Sequence, residues 1–291
     1  MRTLVQVPEG LKRKAVEIAD ETEDAIISTE ACYGACDLRD REAEALGCKK
    51  MIHVGHVKFI DGRVPVEYHE HKTRIDVVKP LLKHIEGLKA YKNISLVTSL
   101  QFVDTINEAK AVLEKNGKRV FIGNAKNLQP GQMLGCNVGA AREVEKDVDC
   151  FLMIGSGKFH ALGLAMATDK PVLMLNLEKG TLENLASSKQ SMLKQRYAAI
   201  ALAKDAKKIG ILISTKPGQM NVELAEKLKK KIVASGKKAY LLAMDEIRPE
   251  KLIGFGMDAY VCTACPRIAV ENRTAFDKPI LNPDEAEKLF L

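Results

Sequence analysis

The seven cysteines of this 291-residue chain are the side chains with the most chemistry to offer, and they are unevenly placed. "CYGAC" sets Cys32 and Cys36 around a glycine, and "CTAC" sets Cys262 and Cys265 just before Pro266. Cys136 stands alone in "GQMLGC", Cys48 follows a glycine expected to end a helix, and Cys150 opens the apolar run "CFLMIG". The start "MRTLVQVPEG" has no apolar signal core, and no apolar run nears the roughly 18 residues of a membrane span. The expected location is cytoplasmic, away from membranes, where structural disulfides are rare. Metal ligation, thiol reactivity and packing remain as uses for the cysteines.

Cys150, inside an expected strand, reads as buried filler, and Cys48 as packing or surface. Cys32-x3-Cys36 together with Cys262-x2-Cys265 has spacings that a four-thiolate zinc site can use, which leaves Cys136 without a part. A redox pair at 262–265 lacks thioredoxin-like surroundings. A different set is Cys36, Cys136 and Cys265, each just past the carboxyl end of an expected strand. Three thiolates with one open position suit an iron–sulfur cluster that must bind a substrate. His53 and His56 in "HVGH" have a spacing used by metal ligands, with a hydrogen-bonded structural pair as the alternative. The turn "GSGKFHALG" offers backbone N–H groups to an anion. It is not a Walker A loop, because Phe159 follows Lys158, nor is it G-x-G-x-x-G. No Ser–His–Asp set assembles.

Composition says what must position these groups. Apolar residues make up 46% and charged residues 29%, as in ordinary soluble domains. With no tryptophan and 5% aromatics, Val, Ile, Leu, Ala and Met must build the core. The net charge of +7 lies on stretches such as "EKLKKKIVASGKK", which read as a solvated helix face or as attraction to RNA or an acidic partner. Without interleaved aromatics, base stacking on a single strand has no support.

Short apolar runs alternate with helical patterns at 11–20, 38–47, 75–90, 104–117, 137–147, 159–168, 181–204, 220–235 and 266–273. That alternation predicts an α/β protein with mainly parallel sheets. The order also repeats: "RVPVEYHEH", "DKPVLMLNL" and "DKPILNPDE" line up as the last strands of three thirds. Three similar small α/β modules are expected at 1–90, 91–204 and 205–291, with a long basic helix over 181–204 joining the second to the third. Open α/β sheets bind ligands at the carboxyl ends of their strands, where the candidate cysteines fall.

"YGACD", "GQMLGC" and "TACPRI" resemble the motifs of the archaeal diphthamide-biosynthesis radical enzymes, the 2-(3-amino-3-carboxypropyl)histidine synthases. "VPEGL" at 7–11, "HVGH" at 53–56, "IGSGKFHALGL" at 154–164 and "STKPGQ" at 214–219 extend the match nearly end to end, in the family's order. The resemblance implies three parallel-sheet α/β modules in a triangular, pseudo-threefold arrangement around one 4Fe-4S cluster, ligated by Cys36, Cys136 and Cys265. It implies a homodimer, an unidentified electron donor and no direct nucleic-acid role. The implied reaction moves the 3-amino-3-carboxypropyl group of S-adenosylmethionine, bound at the open iron, to C2 of a histidine imidazole on translation elongation factor 2. This is the first step of diphthamide synthesis, a radical transfer that releases methylthioadenosine. The compact C-x3-C-x2-C loop of most radical S-adenosylmethionine enzymes is absent.

Candidates for holding S-adenosylmethionine are Gln219, Arg267, Gly155, Gly157 and His160. Arg267 could pair with the methionine carboxylate or make a surface or domain-interface salt bridge, and Gln219 could hydrogen-bond the amino acid portion or cap the helix expected near 220. Three features depart from the family pattern: the extra thiols Cys32 and Cys262, Val57 in place of a hydroxyl residue, and a chain that stops soon after "ILNPDEAEKLFL", as if trimmed. Two other readings remain open. One is a quinolinate-synthase-like iron–sulfur enzyme. The other is a basic RNA-binding protein stapled by zinc on Cys32, Cys36, Cys262 and Cys265.

Overall fold

The apolar runs form strands of three separate sheets in a computed structural model that describes residues 1–271 and 275–290. The first sheet uses β1 (Thr3–Gln6), β2 (Ala25–Ile27), β3 (Lys50–Val54) and β4 (Val66–His69), with α1 (Lys12–Asp20) and α2 (Asp40–Ala45) between them. After α3 (Val78–Lys83) come β5 (Asn93–Thr98), α4 (Ile106–Lys115), β6 (Arg119–Phe121), α5 (Gly139–Val144) and β7 (Cys150–Gly155). The second sheet is completed, beyond α6 (Lys158–Ala167), by β8 (Val172–Asn176) and β9 (Thr181–Asn184). Helix α7 (Ala186–Ala203) leads to β10 (Lys208–Ser214), α8 (Val222–Ala234), β11 (Lys238–Met244), β12 (Ala259–Cys262), α9 (Pro266–Glu271), β13 (Ile280–Leu281) and α10 (Pro283–Phe290).

The strand orders are β2-β1-β3-β4, β6-β5-β7-β8-β9 and β11-β10-β12-β13. In each sheet the module's first strand lies between its second and third, and the fourth pairs with the third. All pairs are parallel except β8 with β9. One repeated topology therefore underlies three similar α/β modules. Every residue of β7 and β8 is buried, as expected where helices cover both faces of a parallel sheet.

Three elements differ from the sequence expectation. The helix expected from 181 starts at Ala186, because Thr181–Asn184 turns back as an antiparallel edge strand and lays Leu182 against the core. The helix expected over 75–90 is the short α3 followed by a 3-10 turn at Ile85–Leu88 that buries Leu88. Helix α10 was not expected; Pro283 opens it and Asp284 and Glu285 fill its positive first turn. The expected end of the helix over 266–273 falls partly outside the described residues.

The chain forms two compact units. The first, Met1–Ala35 with Arg39–Lys189, holds the first two sheets. The second, Gln190–Leu291 with Cys36–Leu38, holds the third. In the second unit Ala199 and Ala203 of α7 pack in one core with Ile209 and Ile211 of β10, Leu228 of α8 and Phe290 of α10. The buried Arg196 fixes that packing by pairing with Glu285 and donating to the Ala269 and Ile280 carbonyl oxygens. No described helix is long and apolar enough to cross a membrane.

Candidate functional site

The shared strand order places the exits of each module's first and third strands side by side, where the chain's winding direction reverses and ligands usually bind. In the second unit the β10 exit is Thr215–Met220, and it holds the segment Cys36–Leu38. The Gly218 N–H donates to the Cys36 carbonyl oxygen at 2.9 Å. The Gln219 side-chain amide donates to Cys36 Sγ at 3.4 Å. A Cβ on Gly218 would lie 2.6 Å from Cys36 Cα, so only glycine permits this approach.

Beside these contacts, Lys216 Nζ pairs with Asp37 Oδ2 at 2.5 Å, with side chains only 4% and 1% exposed. Removing one partner of a buried pair leaves a charge in a poorly solvating place. Lys216→Met is therefore expected to lower stability by about 3–5 kcal/mol in chemical denaturation. Adding Asp37→Leu should recover most of that loss, whereas an unchanged midpoint for the single variant would contradict a stabilising pair.

Cys265 follows β12 and is partly buried. Its carbonyl oxygen accepts from the Ile268 N–H at 3.1 Å and from the Cys262 thiol at 3.8 Å. Cys262 itself is fully buried with Leu212, Tyr260 and Ile280, and burial pushes its thiol up to about 12. Enclosed by these apolar groups, the Cys262 side chain packs in the core beside β12. Arg267 is only 7% exposed, which rules out a surface ion pair. The cap of α8 is Asn221, whose Oδ1 accepts from the Leu224 N–H at 3.1 Å, so Gln219 is not the cap.

In the first unit, Leu134 and Asn137 exchange backbone hydrogen bonds of 3.0 and 3.2 Å, which puts Gly135 and Cys136 at the tip of a tight hairpin. The Cys136 thiol is exposed. The base of this hairpin is anchored to the end of β5, where Thr98 N–H donates to Gly131 and Met133 N–H to Thr98. The Phe159 ring lies against Gly135, which brings the "GSGKFH" loop beside the hairpin. In that loop Gly155 ends β7, Gly157 precedes α6, and His160 stands edge-to-face with Phe159 at 5.1 Å. The Lys158 ammonium is engaged by Glu183 at 2.5 Å.

The thiols thus divide by environment. Cys48, Cys150 and Cys262 lie inside cores, and burial pushes Cys150 up to about 12 and raises Cys48. Cys36, Cys136 and Cys265 lie on strand-exit loops and remain accessible in part or in full. Cys36 and Cys136 follow the second strands of their modules, while Cys265 follows a third strand, so the repeat does not put them at equivalent positions.

Cys32 has neither fate. It is buried, and its sulfur meets the ring nitrogens of His53 and His56, the three ligating atoms lying within 4.8 Å of one another. Burial, with a further push from His56, takes His53 down to about 3, and burial takes His56 to about 4. Spacing along the chain pairs Cys32 with Cys36 and leaves the two histidines apart from them. The available signal was the place of both segments at strand exits of one sheet.

The family model described as "Putative diphthamide synthesis protein" matches residues 7–291. The 2-(3-amino-3-carboxypropyl)histidine synthase of Pyrococcus horikoshii is 38% identical, over 99% of this chain and 85% of that protein. Subunit 1 of the same-named synthase is 32% identical in Schizosaccharomyces pombe, over 99% of this chain and 70% of that subunit. The human subunit 1 is 31% identical, over 98% and 67%. The crystal structure of Dph2 from Pyrococcus horikoshii with a 4Fe-4S cluster superposes with a TM-score of 0.91 at 36% identity, over 99% of this chain and 86% of that one.

Proposed function

The chain belongs to the diphthamide synthesis family, and from that membership we propose that it is a 2-(3-amino-3-carboxypropyl)histidine synthase. It transfers the 3-amino-3-carboxypropyl group of S-adenosylmethionine to C2 of a histidine imidazole on translation elongation factor 2 and releases methylthioadenosine. The observation that carries this reading is the sorting of the thiols. Those in the family's three motifs lie on strand-exit loops, while Cys48, Cys150 and Cys262 are spent in cores.

Cys36, Cys136 and Cys265 would hold the 4Fe-4S cluster, one from each of the proposed modules 1–90, 91–204 and 205–291. The donor set fits: the three cysteines lie on exit loops and not in cores, and soft thiolates are the ligands that iron–sulfur clusters take. When bound, such a cluster supplies the electron that breaks the bond between the sulfonium and the aminocarboxypropyl carbon. The Gln219 amide draws charge from the Cys36 sulfur, a contact that raises the potential of a ligated centre. Lys216 and Asp37 keep the backbone next to Cys36 in place. Gly155, Gly157 and His160 are assigned to S-adenosylmethionine on their position at the β7 exit beside the Cys136 hairpin. Arg267 is assigned to its carboxylate, a role that a buried guanidinium two residues from Cys265 suits. A homodimer in the cytoplasm, reduced by a separate electron donor, completes the reading.

The test is an anaerobic reaction of the full chain with S-adenosylmethionine, a chemical reductant and elongation factor 2. Methylthioadenosine in step with histidine modification is the expected result. Its absence from iron-loaded protein, with condensation of small metabolites instead, would favour the quinolinate-synthase-like reading.

A further inference from the structure

Three side chains that the proposed transfer does not use meet inside the first unit. Cys32 lies on the loop after β2, His53 is the fourth residue of β3, and His56 follows the turn at that strand's end. Gly55 makes the turn: it takes φ +92°, where L side chains are strained, and a Cβ there would lie 3.1 Å from the Pro8 ring. The reversal returns His56 onto His53, with ring centroids 5.2 Å apart.

Two observations separate this group from ordinary packing. The first is the orientation of the rings. His53 Nδ1 stands 3.1 Å from Gln6 Oε1, an oxygen that also accepts the Arg39 backbone N–H at 3.3 Å. A carbonyl oxygen only accepts, so the His53 proton sits on Nδ1 and Nε2 presents its lone pair on the other side. An outer carbonyl that fixes the tautomer in this way is the usual partner of a metal-ligating histidine. Nε2 is 3.0 Å from His56 Nδ1. Two nitrogens on a tetrahedral zinc ion, with bonds of about 2.0 Å, stand roughly 3.3 Å apart, so a few tenths of an ångström separate this pair from chelating spacing. The second is the thiol. The sulfur of Cys32, only 5% exposed, supplies a third donor at the same place.

We propose that Cys32, His53 and His56 form a second metal site that binds one divalent ion of borderline softness, zinc foremost, separate from the cysteines assigned to the cluster. Two imidazoles and one thiolate are a donor set that zinc takes, with a fourth position left for water. Binding moves the His56 ring proton from Nδ1 to Nε2 and releases the Cys32 thiol proton to solvent, with no change of oxidation state. The ion ties the loop after β2 to the exit of β3. That loop runs directly into Cys36, so the site would brace the segment that presents a cluster ligand.

Cobalt(II) is the probe, because its d–d and thiolate charge-transfer bands report ligands that zinc leaves invisible. The protein is the full chain carrying Cys36→Ser, Cys136→Ser and Cys265→Ser. Those thiols then contribute nothing, and the outcome stands apart from the cluster assignment. Expected is one cobalt ion per chain with tetrahedral bands that zinc displaces. Adding Cys32→Ser should abolish the charge-transfer band, and adding Gln6→Leu should weaken binding about tenfold or more. His56→Gln, at a partly exposed position, is the second ligand variant if the Cys32 variant does not fold; circular dichroism decides that. The absence of cobalt bands at saturating metal would overturn the proposal. So would bands that survive the ligand substitutions in folded protein.

Discussion

Cys136→Ala is expected to reduce methylthioadenosine formation by more than the roughly 100-fold that losing an outer-sphere partner of a metal site costs. Purified without oxygen, the variant should lose or degrade the iron chromophore and bind less iron and sulfide than the unaltered chain. Its folding should hardly change. Cys136 is exposed at the tip of a hairpin closed by the main-chain bonds between Leu134 and Asn137, and exposed substitutions usually alter stability by no more than about 0.5 kcal/mol. Cys150→Ala should behave in the opposite way. It removes a buried sulfur from a core of Leu96, Leu113 and Leu152, costing on the order of 1–2 kcal/mol, and leaves the iron content alone. Paired iron assays and thermal melts therefore distinguish a ligand from a packing residue. Full iron loading of folded Cys136→Ala protein would remove Cys136 from the ligand set.

Gly218→Ala is expected to have the second largest effect, through atoms that never touch iron. Its Cβ would lie 2.6 Å from Cys36 Cα and 2.8 Å from both the Cβ and the carbonyl oxygen of Cys36. Two backbones meet there, so no flexible side-chain tip can yield. The loop must retreat from Cys36, which breaks the 2.9 Å Gly218-to-Cys36 hydrogen bond and moves the Gln219 amide off the sulfur. Overpacking of this kind costs about 1–3 kcal/mol. A ligand displaced by about 1 Å commonly costs on the order of 100-fold in rate. Activity should fall further than stability. Gly10→Ala is the control, because a Cβ there meets nothing within 4 Å. If Gly218→Ala keeps full iron and full turnover, the β10 exit loop does not set the Cys36 position.

Together these variants separate the cysteine as ligand from the framework that presents it. Gln219 sits between the two roles. Its amide reaches Cys36 Sγ from 183 residues away in sequence. Of the two roles its sequence context offers, substrate contact and helix cap, the cap belongs to Asn221.

The sequence by itself determined the alternation of strands and helices, the order repeated in three modules, and the placement of Cys36, Cys136 and Cys265 past strand ends. These are properties of short windows. Apolar runs of strand length and period-3.6 patterns report burial locally, and glycine-rich turns mark where strands stop. Even so, β9 falls within a stretch whose pattern predicts helix, because "TLEN" is too short to show a period and only its pairing with β8 makes it a strand. Tertiary structure alone decided which of two cysteines three positions apart enters a core. Cys262 points into the apolar layer over β12 while Cys265 stays on the exit loop. It alone brought Cys32 to His53 and His56 and Lys216 to Asp37. Such meetings depend on which strands lie side by side and on a glycine that lets two backbones close to contact, and neither is written in the spacing along one segment.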